Sequence, residues 1–316
     1  MKRKCIIGLE IGGTNSRIGA VALDGSLIDS RISDSKIFAQ GTPETAIADL
    51  AGYIKNYIEE RSISEIQAIA AAFPGTIDSK RQILYSASNL GENGKCRYDG
   101  MNIPQGLSKY FSEPVFLGKD TDFILYNDIK ELGIDTEEMV AGIYFGTGIG
   151  SSFYYRGETI YGSDGVTGEI GHLPISDHDR KCTCNEHQGC CETVASGWRL
   201  IQIRDEYFPD TPVNQIFVRH RNEAPLKEFV NYIARILALT GNLLNCAYTI
   251  VGGGVINMPE FPRKQLLKNT LQILRHLYPR DTYRLLFSPG GQNAGILGAA
   301  QFLFRQLGID KQEGKP

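Results

Sequence analysis

Residues 5–25 read CIIGLEIGGTNSRIGAVALDG: a short apolar run, a glycine turn and a second apolar run. The run at 5–11 is too short for a typical helix and predicts a buried strand that ends at Gly12-Gly13-Thr14. The stretch 18–23 predicts a second strand, and Asp24-Gly25 after it is a strong hairpin signal. The chain is therefore predicted to open with a strand, a glycine loop and another strand.

The same design returns at 140–155, VAGIYFGTGIGSSFYY, where Gly146-Thr147-Gly148 separates two apolar runs. A third glycine loop, Gly252-Gly253-Gly254, follows the strand-like 249–251. The stretch 290–304, GGQNAGILGAAQFLF, predicts one more glycine turn that leads into a helix. Since strand-like and helix-like segments alternate along the chain, the sequence predicts an α/β fold.

The segments between these loops fit the same class. Apolar residues from Ile47 to Ile58 recur at helical spacing after Thr42-Pro43, which predicts a helix that starts there. The run 66–73 predicts a buried strand and 226–237 a helix, whereas 85–103, rich in Gly, Asn and Ser, predicts a long loop. No low-complexity tract divides the chain, so we expect the domain boundary at a short hinge near Gly118.

Composition limits the classes of function. The 316 residues are 42% hydrophobic and 22% charged, which is typical of a globular protein of about two domains. A formal net charge of -3 and a pI near 6.0 favour neither nucleic acid nor an anionic membrane as a partner. The N-terminal stretch lacks the apolar length of a secretory signal, so we expect a cytoplasmic location, where thiols stay reduced.

Glycine after a strand has a specific use. Without a Cβ the backbone can approach a ligand closely, and successive N–H groups can point at phosphate oxygens. Thr14 and Thr147 each add a hydroxyl to such a loop. A tight β-turn with no ligand explains any one loop equally well. Two loops of one design and a third after another strand favour a nucleotide held between two lobes, although none has the Walker or dinucleotide pattern.

The segment 171–192, GHLPISDHDRKCTCNEHQGCCE, contains three of the five histidines and four of the seven cysteines. In a reducing compartment, a C-x-C pattern followed by further cysteines favours metal binding over disulfides. Unmetallated surface thiols are the alternative. Cys5, Cys96 and Cys246 lie elsewhere in the chain and fit small buried side chains.

These motifs together resemble the ROK family of sugar kinases and sugar-responsive repressors. The resemblance rests on LEIGGTNSRIGAV, FGTGIGSS, GEIGH, C-x-C with a later Gly-Cys-x-Glu, and IVGGGV, and it extends from about Ile6 to Phe304. It implies the two-lobed fold of actin and hexokinase. The expected lobes are 1–118 joined by a C-terminal helix at about 296–316, and a larger lobe at 119–295. Within the family, GGGVINMPEFPR at 252–263 and the overall length most resemble bacterial D-allose kinases.

The resemblance also implies a structural zinc site. Its ligands would be His172, Cys182, Cys184 and Cys190, one imidazole and three thiolates that leave no open position. The chain has one residue more than the family pattern in this loop and Asn185 in place of a glycine. Cys191 therefore remains an alternative to Cys190, and His178 or His187 an alternative imidazole.

The family's catalytic base is an aspartate after the last strand of the first lobe, and the matching residue here is Asp120. A solvated loop aspartate is the alternative reading. The chain departs from the family at Lys119 and at Asp122, where asparagine is usual. A second carboxylate could raise the proton affinity of the first or assist Mg²⁺.

The remaining site residues follow from the same alignment of motifs. Sugar contacts are expected at Asn89, Asn102, Asp120, Glu169, His172 and Glu192, and one His172 nitrogen would bind zinc while the other faces the sugar. Surface ion pairs or turn formation would also explain Glu169, Glu192 and Asn89. ATP and Mg²⁺ are expected at Glu10, Gly12, Gly13, Thr14, Gly146, Thr147, Gly148, Gly252, Gly253 and Gly254. Glu10 stands where many relatives have aspartate.

The activity implied is ATP-dependent phosphorylation of the carbon-6 hydroxyl of an aldohexose, with D-allose as the expected substrate. Glucokinase, fructokinase and N-acetylmannosamine kinase activities are the alternatives within the enzyme class. A sugar-responsive regulator without catalysis is the alternative outside it, but such repressors carry a DNA-binding domain ahead of the first glycine loop, where this chain has eleven residues. Relatives commonly form homodimers, so a homodimer is expected.

Overall fold

The computed structural model describes residues 3–91, 94–135, 137–182, 184 and 188–309, except the side chain of Asn89. The described strands are β1 (Cys5–Ile11), β2 (Asn15–Ala22), β3 (Leu27–Asp34), β4 (Ile66–Phe73), β5 (Thr76–Ile77), β6 (Ile83–Ser86), β7 (Met101–Asn102), β8 (Val115–Lys119), β9 (Val140–Phe145), β10 (Ile149–Tyr155), β11 (Glu158–Thr159), β12 (Tyr248–Gly252) and β13 (Leu285–Phe287). The described helices are α1 (Lys36–Ala39), α2 (Ala46–Glu60), α3 (Ile103–Leu107), α4 (Asp120–Glu131), α5 (Glu192–Ala195), α6 (Gly197–Tyr207), α7 (Ile216–His220), α8 (Ala224–Leu244), α9 (Arg263–Ile273) and α10 (Ala294–Gln306).

The chain divides into two compact units. The first contains Met1–Gly133, Tyr161–Thr167 and Gly291–Pro316, and the second contains Ile134–Ile160 and Gly168–Gly290. The division falls after Gly133 and not near Gly118, because α4 packs along α10 of the first unit. The candidate base Asp120, which the predicted boundary assigned to the larger lobe, therefore belongs to the first unit.

A five-stranded sheet in the order β3-β2-β1-β4-β8 forms the centre of the first unit. The seven residues of β1 are all buried, which explains why every residue of this strand except Glu10 is apolar. Strand β1 pairs antiparallel with β2 and parallel with β4, and β4 pairs parallel with β8. Three strands therefore end at the same edge of the sheet, where open α/β sheets place their ligands.

Small residues bring α10 close to this sheet and to α4. A Cβ at Gly8 would lie 3.2 Å from the Ala299 Cβ, and a Cβ at Gly298 would overlap the Phe123 carbonyl. Phe302 on α10 packs on Phe123, with ring centres 5.3 Å apart. The prediction of a C-terminal helix is confirmed, but α10 ends at Gln306 because Gly308 adopts a left-handed conformation (φ 68°) and its N–H bonds to Arg305. Residues 310–316 lie outside the description.

The second unit has its own five-stranded sheet, in the order β11-β10-β9-β12-β13. Strands β9 and β10 form an antiparallel pair, and β12 runs parallel to both β9 and β13. The apolar face of α8, which includes Phe229, Ile233 and Leu237, packs in a core with Phe145 on β9 and Val251 on β12. Among the described residues, no helix has the length and apolarity that crossing a membrane requires.

The predicted strand, loop, strand motifs are confirmed in both units, and the α/β class with them. Helix α2 begins at Ala46, after Thr45, so the predicted start at Thr42-Pro43 was too early. The prediction of a loop over 85–103 was wrong at its ends, because Ile83–Ser86 and Met101–Asn102 pair in a small sheet with Thr76–Ile77.

Candidate active site

The carboxyl ends of β1 and β8 bring the candidate acidic residues of the first unit to one edge. Glu10 on β1 is paired with Ala72 on β4, and the next residue of β4, Phe73, is paired with Lys119, the last residue of β8. Asp120 follows directly as the first residue of α4. The register thus explains how residues more than a hundred positions apart reach the same end of the sheet.

Asp120 is held by the start of its own helix. Its Oδ1 accepts a hydrogen bond from the backbone N–H of Thr121 at 2.8 Å. The side chain of a first-turn carboxylate also benefits from the positive end of the helix dipole. This geometry keeps a negatively charged acceptor at the sheet edge, as a general base requires.

Glu10 is 8% exposed, and its carboxylate lies 3.7 Å from Nη1 of Arg17. A Cβ at Gly295 would overlap the Glu10 carboxylate, so the glycine lets the start of α10 lie close to this side chain in its present position. Burial raises the pKa of Glu10 to about 7, Arg17 acts in the opposite direction, and the charge of Asp120 raises it further. A carboxylate that titrates near neutrality beside the candidate base is therefore part of this site.

The turn at Gly12, Gly13 and Thr14 connects β1 to β2. The N–H of Gly12 donates to the Asn15 carbonyl at 3.1 Å, and a Cβ at Gly12 would lie 2.8 Å from that oxygen. Gly13 and Thr14 are exposed at the tip. The turn requires a glycine at its first position, and it presents backbone and a hydroxyl next to Glu10.

The carboxylate of Asp122 is paired with Arg81, a residue that the sequence analysis did not single out. The Arg81 Nη2 donates to Oδ2 of Asp122 at 2.6 Å, and both side chains are almost fully buried. The guanidinium of Arg81 also lies 3.6 Å from the centre of the Tyr161 ring. No motif marks Arg81 in the sequence, since Lys80-Arg81 is an ordinary basic pair in a hairpin turn.

The two candidate sugar-binding asparagines of the first unit, Asn102 and Asn89, lie in different local structures. Asn102 caps α3, and its Oδ1 accepts from the Gln105 N–H at 2.9 Å, so the structure shows a capping role for this oxygen. Asn89 lies in a short 3-10 helix, Ser88–Leu90, and its side chain is outside the described part of the structure.

In the second unit, Gly146, Thr147 and Gly148 form the turn between β9 and β10, with a hydrogen bond from the Gly146 N–H to the Gly148 carbonyl at 3.0 Å. Helix α6 begins against this turn. The N–H groups of Gly197 and Trp198 donate to the carbonyls of Gly146 and Thr147 at 2.8 and 3.1 Å. The predicted loop is thus fixed by the first turn of a helix.

Glu192 stabilises the other side of the turn formed by Gly146, Thr147 and Gly148. Its Oε1 accepts from the Ile149 N–H at 2.7 Å, and a Cβ at Gly148 would overlap its carboxylate. A Cβ at Gly171 would lie 3.0 Å from the Glu192 Cγ. Glu192 is therefore packed between Gly148 and Gly171. Its carboxylate bonds to a backbone N–H of the turn and, among the described residues, does not form the surface ion pair that was the alternative.

The third glycine loop reaches the same turn. Gly253 has φ 93°, and a Cβ there would lie 2.5 Å from the Phe145 carbonyl, which also accepts from the Val255 N–H at 2.9 Å. Since β12 and β9 are parallel neighbours, Gly252, Gly253 and Gly254 follow the strand end that lies beside Gly146. The structure thus assembles both glycine loops of this unit at one edge of its sheet.

His172, Cys182, Cys184 and Cys190 form a compact cluster. One ligand atom from each lies within 4.8 Å of the other three. The Cys184 and Cys190 sulfurs are 3.9 Å apart, and the Cys182 sulfur is 3.6 Å from Nδ1 of His172. A tetrahedral zinc with Zn–S bonds of about 2.3 Å would place two sulfurs about 3.8 Å apart. These residues therefore fit a closed zinc site.

Two of the alternatives to this ligand set, Cys191 and His178, make other contacts. Cys191 is fully buried in the apolar core of the second unit, and Nε2 of His178 is 3.2 Å from the Tyr232 hydroxyl. His187 and Asn185 are outside the described residues. Burial, together with the neighbouring thiols of Cys182 and Cys184, raises the pKa of Cys190. Thiols this close can all ionise only beside a cation, which agrees with the composition of the cluster.

The two nitrogens of His172 face different groups. Nδ1 faces the cysteines, whereas Nε2 lies 3.8 Å from Oε2 of Glu169. His172 is the last residue of the short 3-10 segment Ile170–His172, and Glu169 is the residue immediately before it. The structure thus brings Glu169 and His172 together, with the imidazole connecting the carboxylate to the cysteine cluster.

Comparison with known proteins identifies the family. The ROK family model matches residues 6–306. The chain belongs to the ROK family. The glucokinase of Thermotoga maritima is 25% identical to this ROK protein over 98% of this chain and 100% of the glucokinase.

Solved ROK structures show the same fold. A ROK family glucokinase from Streptomyces griseus, in complex with glucose and AMPPNP, superposes with a TM-score of 0.76 at 23% identity, over 96% of this chain and 99% of that one. A ROK transcriptional regulator, a homologue of the E. coli MLC protein, gives a TM-score of 0.79 at 19% identity over 94% of this chain and 77% of the regulator. The prediction of an actin/hexokinase-like α/β fold is therefore confirmed, and kinases and regulators share it.

Proposed function

We propose that this ROK protein is an ATP-dependent hexose kinase that phosphorylates the carbon-6 hydroxyl of an aldohexose. The main support is the placement of Asp120 at the carboxyl edge of the first sheet, beside Glu10 and next to the glycine turn between β1 and β2. A base, an acidic group suited to Mg²⁺ and a phosphate-facing turn are the parts that phosphoryl transfer needs. The similarity to glucokinases agrees with this function.

In the proposed reaction, the sugar oxygen forms a bond to the γ-phosphorus of ATP. The bond from that phosphorus to the β,γ-bridging oxygen breaks, and the hydroxyl proton passes to a carboxylate oxygen of Asp120. ADP and a hexose 6-phosphate leave. Asp120 acts as general base because it is an anionic acceptor fixed by the start of α4.

The other candidate residues bind and orient the reactants. Bound Mg²⁺ would offset phosphate charge, and Glu10 would hold it through its waters. The glycine turns would contact ATP: residues 12–14 and 146–148 the phosphates, and residues 252–254 the adenosine. Glu169, His172 and Glu192 would bind sugar hydroxyls, with Asn89 and, through its amide nitrogen, Asn102 as further contacts.

We also propose that the cysteine cluster binds a structural zinc ion. Its four protein ligands leave no open position for a water nucleophile, so zinc would fix the loop that carries His172. Because Nε2 of His172 faces Glu169, this would orient two sugar-binding side chains at once. The proposed assembly is a homodimer, as the resemblance implies, and the proposed location is the cytoplasm, as the N-terminal stretch suggests.

D-Allose is the proposed substrate, on the strength of the motif at 252–263. A coupled ADP-release assay with allose, glucose, mannose, fructose and N-acetylmannosamine tests it. Allose and mannose each differ from glucose in the orientation of one hydroxyl, whereas fructose is a ketose and N-acetylmannosamine carries an acetamido group. The highest kcat/KM is expected for allose. A much higher kcat/KM for glucose would make the protein a glucokinase, and no ADP release with any sugar would favour the regulator.

A further inference from the structure

Arg81 joins three segments of the first unit. It lies in the turn between β5 and β6, its Nη2 is 2.6 Å from Oδ2 of Asp122 on α4, and its guanidinium stacks on Tyr161 in the segment Tyr161–Thr167. The Arg81 and Asp122 side chains are only 11% and 5% exposed. This is a desolvated ion pair with a cation–π contact on one side.

Arg81 has an unfavourable backbone conformation in this turn. Arg81 has φ 55°, in the left-handed region that residues with a Cβ rarely adopt. Its N–H donates to the Asp78 carbonyl at 3.0 Å. Oδ1 of Asp78 accepts from the N–H groups of Gln82 and Ile83 at 2.6 and 2.7 Å. Such strain persists where surrounding contacts enforce it, and it clusters at functional sites.

The segment that contributes Tyr161 is fixed against the same turn. Gly165 has φ 83°, and a Cβ there would overlap the carbonyl oxygen of Ile77. This segment can lie against the hairpin only because residue 165 is glycine. Tyr161 is thereby held at the distance from Arg81 that the stacking contact needs.

The charge of Asp122 explains why Arg81 is held at this position. Asp122 lies in the same first turn of α4 as Asp120, and it stands where the family usually has the neutral asparagine. A buried carboxylate without a cation is strongly disfavoured, so Asp122 would either take up a proton, which changes the charge next to Asp120, or draw the helix turn toward solvent. Any such movement would displace Asp120.

We propose that Arg81 is a positioning residue for Asp120: by neutralising Asp122, it holds the first turn of α4 in place. The inference rests on the proposed kinase function. Other charged groups around this turn are Glu10, its partner Arg17 and the neighbouring Lys119. Arg81 compensates the charge of Asp122 through the direct contact of its Nη2 with Oδ2 at 2.6 Å.

A set of four variants tests the inference: Arg81→Met, Arg81→Lys, Asp122→Asn, and the double variant Arg81→Met/Asp122→Asn. Arg81→Met should lower kcat about tenfold or more while the KM values for ATP and hexose stay within about twofold, because the base is misplaced but the binding groups are intact. The double variant should recover kcat to within about threefold of wild type, since a neutral residue 122 needs no cation. The kcat of Arg81→Lys should lie between those of Arg81→Met and wild type.

Arg61→Met is the matched control. Arg61 forms an Arg–Asp pair with Asp29 at 2.8 Å in the same unit, on the surface, so its loss should leave kcat unchanged. Kinetics are measured below the unfolding temperature of every variant, so that a role in folding alone would not lower kcat. An unchanged kcat in Arg81→Met, or a double variant as slow as Arg81→Met, overturns the inference while wild-type turnover upholds the proposed function. If the wild type phosphorylates no hexose, both fail.

Discussion

Glu10 and Arg17 form an ion pair at the end of the β1–β2 hairpin, with the carboxylate 3.7 Å from Nη1. This distance is too long for a strong hydrogen-bonded ion pair, so burial has a larger effect on the pKa of Glu10 than Arg17 has. The pKa of Glu10 therefore rises from 4.5 to about 7. The carboxyl group that we assign to Mg²⁺ thus changes charge near neutral pH.

This shift predicts a pH-dependent stability. Because the folded state binds the Glu10 proton more tightly than the unfolded state, the contribution of Glu10 is fully present below pH 4.5 and is lost as pH rises to about 7. Glu10→Gln removes the titration. In urea unfolding without ATP or Mg²⁺, the free energy of unfolding of wild type should fall relative to Glu10→Gln by about 3 kcal/mol between pH 4.5 and 7.5.

Equal pH dependence in wild type and Glu10→Gln would show that folding does not raise the pKa of Glu10. The same titration should appear in kinetics, because the protonated carboxyl group cannot support a cation. The Mg²⁺ concentration for half-maximal rate should rise as pH falls from 8 to 6 in wild type, and should vary less in Glu10→Gln.

The cysteine cluster predicts one zinc ion per chain. Cys190→Ala should lose most of the bound metal and destabilise the loop around His172, because three ligands remain. Cys191→Ala is the matched control: Cys191 is adjacent in sequence, but its side chain packs in the core. Metal analysis of the purified variants, after dialysis against a weak chelator, makes the comparison. Equal metal loss in both variants, or no zinc in wild type, would contradict the site.

The sequence predicted the sheet strands that lie next to glycine loops because burial and turn chemistry act locally. Strand β1 and the turn after it are an example: an apolar run, then a glycine that a close carbonyl requires. The clustering of the cysteines with His172 could also be predicted from the sequence, since their spacing is a local signal. The sequence could not decide between Cys190 and Cys191, because the choice depends on which of the two side chains packs in the core.

What the sequence could not show are the long-range pairings. Arg81 and Asp122 are distant in the chain, and neither lies in a pattern that links them. The unit boundary was misplaced for the same reason: Phe302 near the C-terminus packs on Phe123, which draws α4 into the first unit. Asn102 matched a functional position by sequence, but local capping at the start of α3 explains its oxygen equally well.

Gly148 and Gly146 provide a matched pair for the β9–β10 turn. A Cβ at Gly148 would overlap the Glu192 carboxylate, whereas nothing lies within 4 Å of a Cβ at Gly146. Gly148→Ala should therefore lower the unfolding temperature by several degrees, and Gly146→Ala should change it little. Differential scanning fluorimetry compares them. Equal changes would mean that Glu192 moves aside freely and does not fasten the turn.

Trp198 offers a direct probe of the nucleotide. It is the only tryptophan in the chain, the residue is 42% exposed, and its backbone N–H donates to the Thr147 carbonyl at 3.1 Å. Binding of ADP at residues 146–148 should change the environment of the indole. A saturable change in fluorescence is expected with ADP and Mg²⁺, and none with ribose 5-phosphate at the same concentration. A linear response to ADP without saturation would remove these residues from the nucleotide site.

Asp120→Asn tests the proposed base most directly. The amide keeps the size of the side chain and can still accept from the Thr121 N–H, but it cannot take a proton from the sugar. We expect kcat to fall by about 10²–10⁴-fold, while the fluorescence response to ADP and the unfolding temperature stay close to wild type. Asp205→Asn, at a side chain that is 61% exposed, controls for loss of a charge. Since a base acts only on the chemical step, a variant that loses ADP binding as strongly as turnover would assign Asp120 to binding and leave the proton without an acceptor.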